Sequence, residues 1–150
     1  MNDTLAGETL EVEALGAAGD GIARRGGRTL FLPGTLPGET VRARLVGKRG
    51  DALLAEAEAV LAPSPDRVVP PCPHFATCGG CVIQHLADAP YAAWKRAKLV
   101  EALSRAGFPD APVGPLERTP PMTRRRADLA LRRGSAAACW SASTAAAATR

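Results

Sequence analysis

The stretch GDGIARRGGRTLFLPGTLPGE, residues 19–39, decides the fold class of this 150-residue chain. Its apolar runs are short, and glycines and two Pro-Gly dipeptides, Pro33-Gly34 and Pro37-Gly38, separate them. Pro-Gly and Gly-Gly are turn signals, because proline fixes φ and glycine takes conformations closed to other residues. The run Arg28–Leu32 between two such signals is typical of a strand. The stretch therefore predicts short β-strands joined by tight turns.

The same pattern continues on both sides of this stretch. Thr9–Leu15 alternates apolar and acidic side chains, and Thr40–Val46 is a further strand candidate. Ala52–Val60 is compatible with a last strand or with a short helix, since alanine and glutamate favour the helix. Four or five short strands with such turns predict a small antiparallel, OB-like β-barrel over residues 9–62. About fifty residues form a marginal core, so we expect the barrel to pack on a neighbour.

The rest of the chain is organised differently. Prolines between residues 63 and 71 mark a stiff linker, and residues 63–133 form a second region. A helix is predicted from an N-cap at Asp88 to a stop at Gly107, and residues 126–132 alternate like a strand. In the tail, residues 134–150, eight of 17 residues are alanine and no amphipathic period appears, which predicts disorder or a frayed alanine helix. The fold class is thus mainly β with some α.

Charge is distributed unevenly along the chain. Residues 1–71 hold 8 Lys/Arg and 10 Asp/Glu, whereas residues 72–150 hold 11 and 5. The second half therefore has the charge that favours a polyanion, although a solvated basic surface explains it equally well. No apolar run approaches the roughly 20 residues of a bilayer span, and the first residues do not resemble a signal peptide. These features predict a cytoplasmic protein with no membrane partner.

Three cysteines lie within ten residues. Cys72, Cys78 and Cys81 have the spacing C-x5-C-x2-C around Gly79-Gly80, and glycine lets the backbone turn sharply enough for sulfurs to converge. A [4Fe–4S] cluster commonly takes three close cysteines and one remote one. Zinc held by the same thiolates together with His74 or His85 is an alternative, and a disulfide is another.

These residues resemble the RNA (uracil-5-)-methyltransferase family, which forms 5-methyluridine in ribosomal or transfer RNA with S-adenosylmethionine. The resemblance lies in the string from Cys72 to Leu86 and in the helix that follows it. Upstream, residues 19–23, 30–34 and 36–39 look like the TRAM domain, an RNA-binding barrel that precedes the cluster in that family. Order and spacing agree over about residues 9–133.

The resemblance implies that Cys72, Cys78 and Cys81 ligate a [4Fe–4S] cluster that is structural or positions RNA. The family's fourth cysteine lies in a later segment, and Cys139 does not match its context. The Rossmann-like domain that binds S-adenosylmethionine, the nucleophilic cysteine and the proton-abstracting base belong to a C-terminal half that this sequence does not match. No catalytic residue is therefore assigned here. Because the family-like pattern stops near Gly134, we expect the tail to be out of frame or truncated.

Basic side chains are the candidate contacts with RNA phosphates. One group lies on the glycine-rich hairpin and the next strand, and another is a triplet near the end of the chain. A solvated strand face is the alternative for both groups. The predicted RNA-binding residues are Arg24, Arg25, Arg28, Arg42, Arg44, Arg124, Arg125 and Arg126.

The sequence is therefore interpreted as the N-terminal part of an S-adenosylmethionine-dependent RNA (uracil-5-)-methyltransferase acting on 23S ribosomal RNA. It would bind RNA and a [4Fe–4S] cluster, and it would not be catalytic alone. Two alternatives remain open: a non-enzymatic RNA-binding module with a structural cluster, and a zinc-stapled adaptor. The pattern indicates neither the target uridine nor an oligomeric state.

Overall fold

The computed structural model describes residues 7–75, 80–120, 123, 131–133 and 140–142. The chain forms two compact units, Met1–Val69 with His85–Pro90, and Pro70–Gln84 with Tyr91–Arg150. The first unit is a six-stranded sheet whose strand order is β1-β5-β6-β4-β3-β2. Its strands are β1 Glu8–Glu11, β2 Ala14–Leu15, β3 Gly21–Arg25, β4 Arg28–Leu32, β5 Thr40–Arg49 and β6 Ala52–Ala62. The predicted mainly β fold is confirmed.

Two tight hairpins build most of the sheet. Strands β3 and β4 are joined by Gly26 and Gly27 alone, with φ values of 53° and 77°. A two-residue loop with positive φ at both positions matches the right-handed twist of the strands, and only glycine adopts it cheaply. Gly50, with φ of 61°, begins the equally short turn between β5 and β6. The turn signals of the sequence thus mark real turns.

The edges of the sheet are formed by successive pieces of chain. β1 pairs with β5 and β2 pairs with β3, and only Val12 and Glu13 lie between them. The switch of partner is visible in two hydrogen bonds, from Val12 N to Glu39 O (2.9 Å) and from Glu13 N to Ile22 O (2.7 Å). The single strand predicted for residues 9–15 is therefore two strands, because the chain bends from one neighbour to the other.

The sheet differs from the predicted barrel in two respects. It is not closed by a ladder between its edge strands, and β4 pairs with β6 in parallel through Leu30 and Phe31. The segment that was compatible with a helix is β6. There the long ladder with β5 and the burial of Leu53 and Ala55 outweigh the helical preference of alanine and glutamate.

Small and branched aliphatic side chains fill the core of the first unit. Nine buried residues form one cluster, and the half-buried Leu45 and Ala57 pack against it. Burial alternates along β5, so Val41 and Ala43 face inward and Arg42 and Arg44 face solvent. The members of the core cluster are Leu10, Val12, Ala23, Leu30, Leu32, Val41, Ala43, Leu53 and Ala55.

The second unit carries most of the only helix among the described residues, α1 (Asp88–Arg105). It ends at Arg105, just before the predicted stop at Gly107, whose φ is 91°. Gly107 N donates to Ser104 O and Phe108 N donates to Leu103 O. This is the Schellman pattern of a helix C-terminus. No residue of α1 is buried, and within the described part of the chain no helix has the length and apolarity to cross a bilayer.

A two-stranded antiparallel sheet pairs β7 (Leu131–Arg133) with β8 (Trp140–Ala142). β7 overlaps the end of the strand predicted over residues 126–132, most of which lies outside the described residues. β8 lies in the tail and differs from the disorder expected for that segment. The other tail residues, 134–139 and 143–150, lie outside the described residues.

Candidate functional site

The arginines of the β3–β4 hairpin are engaged with acidic side chains. Arg24 Nε lies 3.5 Å from a carboxylate oxygen of Glu13, and Arg25 Nε lies 2.9 Å from one of Glu8. Arg28 is half-buried at the start of β4. Exposed ion pairs of this kind are weak, so a phosphate can displace the carboxylate, but at a cost. The predicted hairpin arginines thus lie on the surface, and nearby carboxylates partly neutralise their charge.

The outer face of β5 carries a row of cations. Arg42, Arg44 and Lys48 are exposed on this strand, with inward-facing residues between them. Arg44 forms ion pairs with Glu56 and with Glu58, both on the adjacent strand β6. Arg42, in the part of the chain that the structure covers, makes no ion pair, so its guanidinium is the better placed to receive a phosphate. The predicted RNA-binding residues Arg124, Arg125 and Arg126 lie outside the described residues.

The cysteine loop, defined here as residues 69–84, contains the predicted metal ligands. Cys72 is half-buried and begins a turn that closes with a hydrogen bond from Phe75 N to Cys72 O (3.2 Å). Cys81 is exposed, and both thiols are free of disulfide bonds. Cys78 lies outside the described residues. Within the described ranges no three potential ligands come together, and the predicted triplet includes a residue beyond them.

The donors that are described fit an iron–sulfur cluster. Cluster iron is held by cysteine thiolates, and Cys72 and Cys81 offer two unpaired thiols on one loop. His85, one of the alternative zinc ligands, is fully buried in the first unit, where it packs as an interior residue. His74 is exposed on the loop itself. The described donors are therefore thiols, which both cluster iron and zinc can bind.

The two ends of the cysteine loop are joined by backbone hydrogen bonds. Arg67 and Leu86 form an isolated antiparallel bridge. Beside it, Val68 N donates to His85 O (2.9 Å) and Ala87 N donates to Asp66 O (2.8 Å). We call residues 66–68 and 85–87 the neck. All six neck residues belong to the first unit.

A buried carboxylate lies at the centre of the contacts that hold the neck. Glu39, whose side chain is fully buried, accepts two hydrogen bonds from the Arg67 guanidinium, Nε to Oε1 at 2.5 Å and Nη2 to Oε2 at 2.8 Å. Leu36 N donates to Oε2 (2.9 Å) and Ser64 N donates to Oε1 (3.3 Å). Arg67 Nη2 also donates to Gly34 O (2.8 Å). The carboxylate thus ties residues of the sheet unit to the segment that leads into the loop.

The environment shifts the pKa values of both buried titratable groups. Burial by itself raises the pKa of Glu39, but the hydrogen bonds from Arg67, Leu36 and Ser64 and the charge of Arg67 outweigh it, so the pKa is lowered. Burial lowers the pKa of His85, and the charge of Arg67 lowers it further. The Glu39 charge and a hydrogen bond with the Thr35 backbone oppose that shift for His85. At neutral pH, Glu39 is therefore ionised and His85 is neutral.

A second cationic group lies on α1 and the segment after it. Lys95 Nζ lies 5.1 Å from the ring centre of Trp94, and Arg118 lies 5.3 Å from that of Tyr91. The two rings are 6.4 Å apart. Such contacts hold cations over aromatic faces. Trp94 and Tyr91 are half-buried among these cations.

The residues of the buried ion pair were not singled out from the sequence as functional. Arg67 lies in the stretch interpreted as a stiff linker, and Ser64 in that stretch is buried. Glu39 follows the second Pro-Gly turn and precedes a strand of alternating burial. The sequence signal that could have indicated Glu39 is its position, since it is an acidic residue at a turn from which the chain returns to the core. Only the fold brings it to Arg67, 28 residues away.

Comparison with known proteins agrees with the fold of the first unit. Residues 5–57 match the TRAM domain family. The chain therefore carries a TRAM domain, as the glycine and proline strings of the sequence indicate.

The similarity extends well beyond that domain. The chain is 44% identical over 128 residues to an uncharacterized RNA methyltransferase of Caulobacter vibrioides, covering 85% of this chain and 29% of the relative. It is 43% identical over 100 residues to the 23S rRNA (uracil(1939)-C(5))-methyltransferase RlmD of Bordetella pertussis, covering 67% of this chain and 22% of the relative. The chain is thus a homologue of proteins named RNA methyltransferases, and it spans less than a third of their length. The resemblance stated from the cysteine and TRAM strings is confirmed.

Proposed function

We propose that this chain supplies the RNA-binding and cluster-binding portion of an S-adenosylmethionine-dependent RNA (uracil-5-)-methyltransferase that acts on 23S ribosomal RNA in the cytoplasm. One observation carries the proposal: the 128 aligned residues shared with the Caulobacter relative far exceed the 53 residues of the TRAM match. More than half of the similarity therefore lies outside the TRAM domain, in a stretch that must include residues of the cysteine loop or of α1.

The proposed role of the TRAM domain is to hold RNA. Phosphate contacts would come from the outer face of β5, where Arg42 is exposed without an ion pair among the described residues, and from the hairpin arginines after they release their carboxylates. Phosphate neutralisation gives affinity that falls steeply with salt and carries no sequence information by itself. Selection of the target uridine is assigned to other parts of the enzyme.

The proposed role of the cysteine loop is to hold a [4Fe–4S] cluster with Cys72, Cys78 and Cys81. A bound cluster would supply a rigid inorganic centre that orders the loop. The thiolates of these residues would hold the iron, and backbone N–H groups of a glycine-containing turn can donate to sulfur. Methyl transfer and binding of S-adenosylmethionine are assigned to residues outside the aligned portion. The chain by itself is proposed to be inactive in methyl transfer.

Metal analysis tests the cluster. Anaerobically purified protein is expected to be brown, with iron and acid-labile sulfide in equal amounts. Stoichiometric zinc without sulfide would instead support the zinc-stapled adaptor. If the protein contained no iron, no sulfide and no zinc, both the cluster and the zinc interpretation of the loop would be overturned.

RNA binding and methyl transfer test the rest. Fluorescence anisotropy with a labelled 23S rRNA fragment is expected to show a binding constant whose logarithm falls linearly with the logarithm of the salt concentration. A longer protein covering the whole length of the relatives is expected to methylate C5 of a uridine in that RNA, and this chain is not. A full-length protein that binds RNA and transfers no methyl group would favour the non-enzymatic module.

A further inference from the structure

The contacts around Glu39 meet at the neck of the cysteine loop. The neck closes the loop through the Arg67–Leu86 bridge and two flanking backbone hydrogen bonds. One neck residue, Arg67, is fixed by both oxygens of a carboxylate that is fully buried. We infer that Glu39, acting through Arg67, is a positioning residue that keeps the neck closed and thereby presets the cysteine loop for its metal. This inference rests on the metal-binding role proposed for the loop.

The physical reason is the cost of bringing the two ends of a loop together. A free segment must lose conformational entropy before its cysteines can converge on one centre, and that cost grows with the length of the segment. If the neck is already closed in the folded protein, part of this conformational entropy has been lost during folding. Less entropy then remains to be lost when the metal binds.

Glu39 suits this role because its bonds are charge-assisted and bidentate. Arg67 places Nε and Nη2 on the two carboxylate oxygens, a geometry that fixes orientation as well as distance. The remaining capacity of the carboxylate is taken by Leu36 N and Ser64 N. Ser64 lies three residues before Arg67 and donates to the same carboxylate, so the approach to the neck is held at two points.

His85 holds the other strand of the neck. Its carbonyl accepts the hydrogen bond from Val68 N, and its ring is fully buried. The charges of Arg67 and Glu39 both act on this ring. Both strands of the neck are thus anchored in the interior of the same unit, one by an ion pair and the other by a buried ring.

Glu39→Gln tests the inference, because it removes the charge with almost no change of volume. Glu13→Gln is the matched control, since Glu13 is an exposed carboxylate of the same unit that also pairs with an arginine. Two properties are measured in the full chain: hydrogen exchange of the Val68 and Ala87 amides, and affinity of the reduced protein for Co²⁺ followed by thiolate-to-cobalt absorbance. Loss of a charge-assisted pair is expected to speed neck exchange on the order of 10- to 100-fold. We expect Co²⁺ affinity to fall at least several-fold with it, whereas Glu13→Gln changes neither.

The outcomes separate this inference from the proposed function. Unchanged exchange at Val68 and Ala87, or an open neck with wild-type Co²⁺ affinity, overturns the positioning role. Wild-type protein that lacks iron and sulfide, yet binds Co²⁺ more weakly after Glu39→Gln, overturns the cluster and keeps the positioning role. Wild-type protein that binds no Co²⁺ and also contains no iron or sulfide overturns both. If Glu39→Gln does not fold, Arg67→Lys replaces it, because lysine keeps the charge and loses the two-pronged geometry.

Discussion

Gly21, at the start of β3, shows how closely single residues are fitted in the TRAM domain. A Cβ atom there would lie 2.0 Å from Thr35 Oγ1, 2.9 Å from Val12 Cγ1 and 3.2 Å from the Leu32 carbonyl oxygen. Thr35 cannot move away freely, since it is buried and its hydroxyl donates to Leu32 O (2.8 Å). The glycine is required because of space, as its φ is not in the left-handed region.

Gly21→Ala is therefore expected to lower the free energy of unfolding by about 1–3 kcal/mol, the usual range for overpacking a core. Gly47→Ala is the control, because a Cβ at Gly47 on β5 meets nothing within 4 Å and its φ is not left-handed. The control is expected to change stability by less than about 1 kcal/mol. Urea unfolding followed by far-ultraviolet circular dichroism measures both. Equal stabilities of the two variants would contradict the packing described around Gly21.

The two buried titratable groups make stability depend on pH in a definite direction. His85 has a pKa below its ordinary 6.5, so the unfolded chain binds more protons than the folded one as the pH falls below that value. Glu39 adds the same effect below its ordinary 4.5, because its folded pKa is also lowered. Stability is therefore expected to be full above 6.5, to fall as His85 is protonated on unfolding, and to fall again below 4.5.

The variant His85→Gln is expected to flatten the first step of that pH dependence, whatever it does to stability at neutral pH. His74→Gln is the matched control, as His74 is the other histidine of the sequence and is exposed. Urea midpoints measured at several pH values between 7 and 5 distinguish the two variants. A wild-type midpoint that does not change over that interval, or a flattening caused by His74→Gln, would contradict the assignment.

At the scale of elements, the sequence was informative wherever local chemistry decides the outcome. The Gly26-Gly27 hairpin, strand β4 and the helix stop at Gly107 follow from φ preferences and periodicity, which act over a few residues. The partner switch at Val12 was not predictable, because alternation continues through a bend. β6 was ambiguous for the opposite reason: its alanines and glutamates favour a helix until the ladder with β5 forms. The Glu39–Arg67 pair depends on contacts across 28 residues, which no local pattern reports.

The two exposed arginines of β5 are expected to differ in RNA binding. Arg44 must give up ion pairs with Glu56 and Glu58 before it can meet a phosphate, whereas Arg42 makes no ion pair in the described part of the chain. Arg42→Gln is therefore expected to weaken binding of a 23S rRNA fragment more than Arg44→Gln does. It is also expected to reduce the salt slope by about 1.

Removing the competing carboxylate provides the converse test of the same strand. Glu56→Gln is expected to strengthen RNA binding modestly, because it removes one of the two ion pairs of Arg44 and a negative charge from the face. Fluorescence anisotropy over a range of salt concentrations measures all three variants. If neither Arg42→Gln nor Arg44→Gln weakened RNA binding, and Glu56→Gln had no effect, the outer face of β5 would not be the RNA contact.

At the scale of the whole molecule, the two units are proposed to have different roles. The TRAM unit has a continuous core and an ion pair between the buried carboxylate of Glu39 and the partly exposed Arg67. Among the described residues of the second unit, the helix α1 has no buried residue, and the chain is strongly positive from residue 72 onward. Because no residue of α1 is buried, we expect the second unit to gain more from the proposed metal centre than the first unit does. Loss of the proposed metal is thus expected to affect the second unit and to leave the proposed RNA contacts of the first in place.

Cysteine substitutions test this division, and the chain provides its own control. Cys78→Ser is expected to abolish iron and sulfide binding, since a triplet reduced to two thiolates loses a cluster ligand. Cys139→Ser is expected to leave iron and sulfide at the wild-type level, because Cys139 lies outside the sequence context of the family's fourth ligand. Far-ultraviolet circular dichroism of the Cys78→Ser protein should retain the β signal of the TRAM unit, and its affinity for RNA through β5 should stay within about threefold of the wild type. Loss of that β signal in Cys78→Ser would mean that the sheet depends on the metal. A wild-type iron content in Cys78→Ser would exclude this loop as the metal site.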